Sequence, residues 1–152
     1  MKRGGIFIAI FIIVIIFLIA EAVNAEGLDW KIPCKYSEEA EYIAKTVYGE
    51  ARGCPVEEQK KVIWCILNRV ESPEFPNDII SVVTQNRQFT GYNKKNPIWK
   101  EHYLLALEIL DEWDAERLGI EEARGRKSSR NLDKEYVYFS GDGKKNTFRI
   151  EY

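Results

Sequence analysis

The sequence predicts an α+β fold, mainly helical, with a small β-hairpin at its C-terminal end. Three observations carry this. Apolar residues recur at three- and four-residue spacing in the stretches from Ser37 to Arg52, Pro55 to Val70 and Pro97 to Leu118. Serine, glycine, proline and asparagine punctuate the boundaries between them. Tyr136 to Phe139 and Thr147 to Tyr152 are β-prone segments on either side of Gly141-Asp142-Gly143, the pattern of a hairpin.

Each element can be justified in turn. Lys2 and Arg3 precede fifteen unbroken apolar residues, Ile6 to Ala20, and Val23-Asn24-Ala25 follows with small side chains where a signal peptidase reads. Residues 1–25 are therefore expected to be an export signal. A retained membrane anchor through residues 6–20 is the alternative, since flanking glycines and Ala22 could lengthen the run. Residues 26–152 then form one mildly acidic domain, expected to act outside the cytoplasm, in the cell wall or secreted.

Ser37, whose hydroxyl can cap free N–H groups, followed by Glu38 and Glu39, marks the start of a helix expected to run to about Arg52. Its apolar stripe is Ala40, Ile43, Ala44, Val47 and Ala51, and Glu50 falls on the same face. Gly53 suits the helix end and Pro55 the first turn of the next helix, so a tight corner follows the acid. In the second helix the stripe Val62, Ile63, Ile66, Leu67 and Val70 extends backward to Gln59, a second polar group aimed at the core. Asn77 can cap a short helix containing Ile79, Ile80, Val82 and Val83. Thr84 to Asn96 is a polar loop in which Phe89 and Tyr92 suggest a ligand surface. Asn96-Pro97 opens the longest helix, which carries Ile98, His102, Leu105, Ala106, Ile109 and Trp113 on one face and ends at Gly119. Glu121 to Arg130 reads as a solvated loop.

Composition narrows the function. The chain has 152 residues, 45% hydrophobic and 30% charged, which suits one modest domain and argues against disorder. Its 22 basic residues nearly balance 24 acidic ones, so there is no overall basic field of the kind a dedicated nucleic-acid binder presents. One histidine, His102, and three cysteines in no C-x-x-C pair leave few ligands for a zinc site, and no metal or cofactor is expected. At most one disulfide can form. Cys54 and Cys65 are too far apart along one helix to bond, so Cys34 would have to pair with either.

The segment Tyr48-Gly49-Glu50-Ala51-Arg52-Gly53, then Gln59, Ile66-Leu67-Asn68-Arg69-Val70, Ser72-Pro73, Phe75-Pro76-Asn77 and Gln88-Phe89, resembles the cell-wall hydrolase family that includes the spore cortex-lytic enzymes. The resemblance covers Ala44 to Phe89 strongly, and Tyr138-Phe139 with the Gly143 to Phe148 tail weakly. It implies a lysozyme-like catalytic domain that cuts the glycan strands of peptidoglycan, with Glu50 as the catalytic acid. Many relatives have a Gly-rich segment and a later His where this chain has Asn131 to Glu135 and Asn146-Thr147.

The residues support the same assignment independently. A carboxyl group partly enclosed by apolar side chains has its pKa raised by desolvation, so it can stay protonated and donate to a glycosidic oxygen. Gln59 could hydrogen-bond an acetamido group, steady Glu50 or cap backbone. Phe89 and Tyr92 could stack on sugar rings or fill the loop's own core. By the resemblance, Gln88 and Tyr138 complete the expected substrate contacts. Arg52 and Arg69 could hold the peptide carboxylates of the wall but read first as ion-pair residues, and His102 reads as a packed residue without a catalytic role.

No second acid announces itself, which suits a lytic transglycosylase, where one glutamate serves as acid and then base and leaves 1,6-anhydro-muramic acid ends. A hydrolytic muramidase or glucosaminidase is the alternative. From other classes, a cysteine peptidase of wall peptides using His102 with Cys34, Cys54 or Cys65, and a non-catalytic glycan-binding domain, remain open. The chain is expected to work as a monomer on peptidoglycan strands.

Overall fold

Helix α1, Ser37–Ala51, is held at its start by the Tyr36 carbonyl accepting from Ala40 N–H and by Glu38 and Glu39 in its first turn. Ser37 is the first helical residue and its hydroxyl caps nothing, because the preceding turn, Ser37 N–H to Cys34 carbonyl, already draws it into the helix. The predicted stripe is buried, with Thr46 added; its hydroxyl donates back to the Tyr42 carbonyl at 2.8 Å. The computed structural model describes residues 34–120, 130–142 and 144–151. The expected signal or anchor at residues 1–25, most of the loop after Glu121, and Gly143 of the turn lie outside the described residues.

The corner after α1 is tight. Cys54 N–H donates to the Ala51 carbonyl, and the Pro55 carbonyl accepts from Glu58 and Gln59 N–H to start α2, Val56–Glu71. Pro55 thus stands just before the helix, where its missing N–H costs nothing. Gln59 is buried as expected, and its side-chain amide donates to the Cys54 carbonyl at 3.0 Å, satisfying a backbone group that the corner leaves without a helical partner.

Helix α2 is the centre of the domain and packs against α1, the short α3 (Ile79–Thr84), α4 (Lys100–Arg117) and strand β1 (Tyr138–Gly141). Every residue from Val62 to Arg69 is buried, so the stripe seen in the sequence understates it. The reason lies in residues 130–137. There Asn68 donates to the carbonyls of Asp133 and Tyr136 at 2.8 and 2.9 Å, and the Arg130 guanidinium covers the Trp64 ring at 4.1 Å. Arg130 is in turn held by both carboxylate oxygens of Glu116.

Asp78, not Asn77, caps α3 by accepting from Ser81 N–H at 2.8 Å. Helix α4 begins at Lys100, three residues after Pro97, with Trp99 as the flanking residue. Its predicted face from His102 to Trp113 is buried, joined by Tyr103 and Leu110, and Gly119 closes it in the left-handed region at φ 65°. Strand β1 pairs antiparallel with β2, Asn146–Arg149, in the register Tyr138 to Arg149 and Phe139 to Phe148. Asp142 accepts from Lys144 and Lys145 N–H at the turn. Phe139 and Phe148 pack on Ala51, Cys54 and Val62, which seats the hairpin on the corner between α1 and α2.

The loop from 85 to 99 lies across α1. Asn96 fastens it, donating to the carbonyls of Lys45 and Gly91 at 2.9 and 2.8 Å. Gly91 and Gly49 meet backbone to backbone, and a methyl group on either would overlap the other's main chain. Gly49→Ala should therefore destabilise the domain by about 3 kcal/mol or more in denaturant unfolding, since backbone cannot yield as a side-chain end can. Gly119→Ala, where strain in φ is the sole obstacle and open space surrounds the position, should cost about 1 kcal/mol. Gln59→Ala should lower stability by about 1–2 kcal/mol through loss of the amide donor to Cys54.

Candidate active site

Glu50 is the penultimate residue of α1, at the place where α1, the 85–99 loop and the hairpin converge. Its carboxylate is half-buried, and Oε1 accepts from Gly91 N–H at 2.7 Å. The bond exists because neither Gly49 nor Gly91 has a side chain to hold the two backbones apart. Burial pushes the Glu50 carboxyl above its ordinary value, while the Gly91 N–H and the positive charge of Arg69 pull the other way and offset part of the rise.

Around this carboxyl lies a groove of about 370 Å³. Glu50 and Arg69 form its base. Arg87, Gln88 and Thr90 of the loop make one wall, and Tyr138, Phe139, Ser140, Gly141 and Arg149 of the hairpin make the other. Glu50 is the one carboxylate among these lining residues, against three guanidinium groups. Arg69 is 2% exposed, a rare depth for an arginine. Its Nε donates to the Val137 carbonyl at 2.6 Å, and its plane is bracketed by Phe75, Phe89 and Tyr138 with centroids 5.0, 4.6 and 5.4 Å away. It is not the surface ion-pair residue that the sequence suggested, because aromatic faces and a carbonyl replace the carboxylate as its partners.

Of the expected contacts, Gln88 and Tyr138 line the groove with Glu50. Gln59 does not; its amide is committed to the corner. Phe89 is buried beneath the loop, tilted against Phe139 at 6.0 Å, and offers no open face to a sugar. Tyr92 stacks on Tyr42 at 5.9 Å on another side of α1. Both aromatics were expected as a ligand surface, but the loop folds back on α1 and uses them as its own core. Arg87, Thr90, Ser140 and Arg149 were not singled out in the sequence, since single polar residues in a loop and a strand carry no local pattern.

None of the groups of the cysteine peptidase alternative lines the groove. Burial pushes the Cys65 thiol up to about 12 and also raises that of Cys54, the reverse of what a thiolate nucleophile needs. Cys34 is exposed, and all three thiols are free. His102 is buried on Trp99 and Tyr48, and burial lowers its pKa. Among the described residues no three His, Cys, Asp or Glu side chains gather where they could hold a metal.

Residues 53–122 match the family model of the cell wall hydrolases, a stretch that begins just past Glu50 and takes in Arg69 and the loop wall. The chain is 37% identical over 78 residues to the spore cortex-lytic enzyme of Bacillus subtilis (strain 168), covering 47% of this chain and 25% of that protein. It is 38% identical over 88 residues to the spore cortex-lytic enzyme of Oceanobacillus iheyensis, covering 55% and 32% respectively. Against the spore cortex-lytic enzyme of Halalkalibacterium halodurans it is 42% identical over 61 residues, covering 40% and 18%. The matched stretch thus spans a third or less of the length of these relatives. No solved structure matches significantly. By the family match and these identities, the stretch that holds α2 and the loop is similar to the cell wall hydrolases.

Proposed function

We propose that this chain cuts the glycan strands of peptidoglycan, with Glu50 as general acid and then base in a lytic transglycosylation. The observation that carries this reading is the lone carboxylate: Glu50 is half-buried in a groove whose other described charged residues are all cationic. The match of residues 53–122 to the cell wall hydrolase model and the names of the cortex-lytic relatives support a wall substrate. The apolar run at residues 6–20 supports export or anchoring, which would bring the domain to the wall.

The chemistry follows from what the carboxyl can do in two states. Protonated, Glu50 donates to the glycosidic oxygen as the C1–O bond breaks and its electron pair leaves with that oxygen. The resulting carboxylate takes the proton of the muramic 6-hydroxyl while O6 bonds to C1, and Glu50 ends as it began. Desolvation favours the first state; the Gly91 N–H and Arg69 stabilise the second. The attacking group is held intramolecularly, at high effective molarity, and needs no second carboxylate to activate water. Digestion should therefore leave muropeptides ending in 1,6-anhydro-muramic acid, each one water lighter than its hydrolysed counterpart and inert to borohydride.

A hydrolytic course has one observation in its favour. Asp142 borders a second hollow that shares Ser140 and Gly141 with the groove, and the Lys145 and Lys144 N–H groups hold its carboxyl below the usual range. Reducible muramic ends as the main product, in mass spectra of the digest, would move the assignment to hydrolysis. Reducible glucosamine ends would move the cut to the other glycosidic bond.

Glu50→Gln should lower turnover by about a hundredfold or more, because the amide keeps the shape and the acceptor for Gly91 N–H but cannot supply a proton. Wild-type turnover by the folded variant would refute the assignment. The same substitution has a signed effect on stability. The folded-state pKa of Glu50 lies above its ordinary value of 4.5, so the folded chain binds the proton more tightly than the unfolded one. That contribution is full below the unfolded value and is lost as pH rises through the folded one. Denaturant unfolding should show Glu50→Gln gaining on wild type as pH rises above about 4.5, with the gap closing in acid.

A further inference from the structure

The charge of the groove is at odds with that of the chain. The whole sequence carries a formal net charge of −2, yet three arginines and one carboxyl line the groove. Arg69 is held inside the fold by the Val137 carbonyl and three aromatic rings, with its buried Nη1 left without a hydrogen-bond partner among the described residues. Arg87 and Arg149 are different. They reach the groove from different elements, one on the loop and one on β2, both are exposed, and neither forms an ion pair with any described residue. Arg87 is also the one described non-glycine residue in the left-handed region, at φ 63°, a conformation that costs energy and needs a compensating role. Beside them Gln88 and Ser140 add neutral hydrogen-bonding groups.

A glycan backbone of acetylated amino sugars is itself uncharged, so two guanidinium groups that line the groove without an ion-pair partner among the described residues have no use for it. The carboxylates of peptidoglycan are those of the stem peptides and, where a stem has been removed, of the lactyl ether on muramic acid. We infer that Arg87 and Arg149 form a carboxylate-binding subsite that selects glycan strands bearing anionic substituents. This deepens the glycan-cleavage reading and rests on it for the identity of the ligand. The fork of a guanidinium matches a carboxylate in a bidentate, charge-assisted contact.

The test is binding, so that it does not depend on turnover. The full chain carrying Glu50→Gln is titrated calorimetrically with three preparations of soluble strands. One bears native stems; the second has been stripped by an amidase and keeps the lactyl carboxylate; the third is the stripped strand with its carboxylates converted to amides. At least one of the two carboxylate-bearing preparations should bind roughly tenfold or more tightly than the amidated strands. Adding Arg87→Gln or Arg149→Gln should each weaken binding of that preparation by about tenfold and leave the amidated strands nearly unchanged, with the lysine variants falling between. Arginine dependence on the stripped strands assigns the subsite to the lactyl carboxylate, and arginine dependence on the native strands alone assigns the stem. Equal affinity for all three preparations, equal loss on all three, or no binding at all would overturn the inference. Cleavage by the chain with Glu50 intact is followed separately. Arginine-dependent binding without cleavage would sink the catalytic reading and leave the subsite standing, while cleavage indifferent to carboxylates would do the reverse.

Discussion

The closeness of two glycines governs the site. Glu50 accepts its hydrogen bond from Gly91 only because Gly49 lets the loop backbone rest directly on α1. With any side chain at either position the loop would lift. The groove would then lose its wall of Arg87, Gln88 and Thr90, and Glu50 would regain water and with it an ordinary acidity. Packing, shape and proton affinity are thus fixed by the same contact.

The second constraint is the burial of Arg69. A guanidinium at that depth would be costly without partners, and here a carbonyl and three aromatic faces replace much of the solvent, though Nη1 has no hydrogen-bond partner among the described residues. The arrangement also ties the pieces of the groove together. Val137 leads into the hairpin, Phe89 belongs to the loop, and Arg69 itself sits on the central helix, so the cation that tempers Glu50 is also the peg on which both walls are aligned. Replacing it with an apolar residue of similar size would keep the volume filled but leave the Val137 carbonyl unsatisfied.

Much of this was legible in the sequence, and the rest was hidden for physical reasons. The helices announce themselves because a half-buried helix needs its apolar residues on one face, and that periodicity also placed Glu50 and Gln59 inward. Boundaries were less clear. Asn77 and Asp78 are both competent caps, and only the geometry of the turn decides for Asp78. Phe89 and Tyr92 looked exposed because their neighbours are polar; burial of a loop aromatic depends on what the loop lies against, and α1 is more than forty residues away in sequence for the bond that fixes it. The all-round burial of α2 was equally invisible, since Asn68 and Trp64 acquire their cover from residues 130–137. The groove's arginines escape detection for the same reason: Arg69, Arg87 and Arg149 share no local spacing and meet only through the fold.

Asn96 holds the Gly91 carbonyl and the Lys45 carbonyl with one amide, while the Gly91 N–H points at Glu50. Both polar groups of Gly91 are therefore engaged, and the orientation of that N–H dipole is settled when the chain folds. Water around an ionising carboxyl must turn to meet the new charge, and that turning is part of the barrier. A dipole already pinned from its far side has nothing left to rearrange, so the passage of Glu50 between its two protonation states can proceed with a small reorganisation energy.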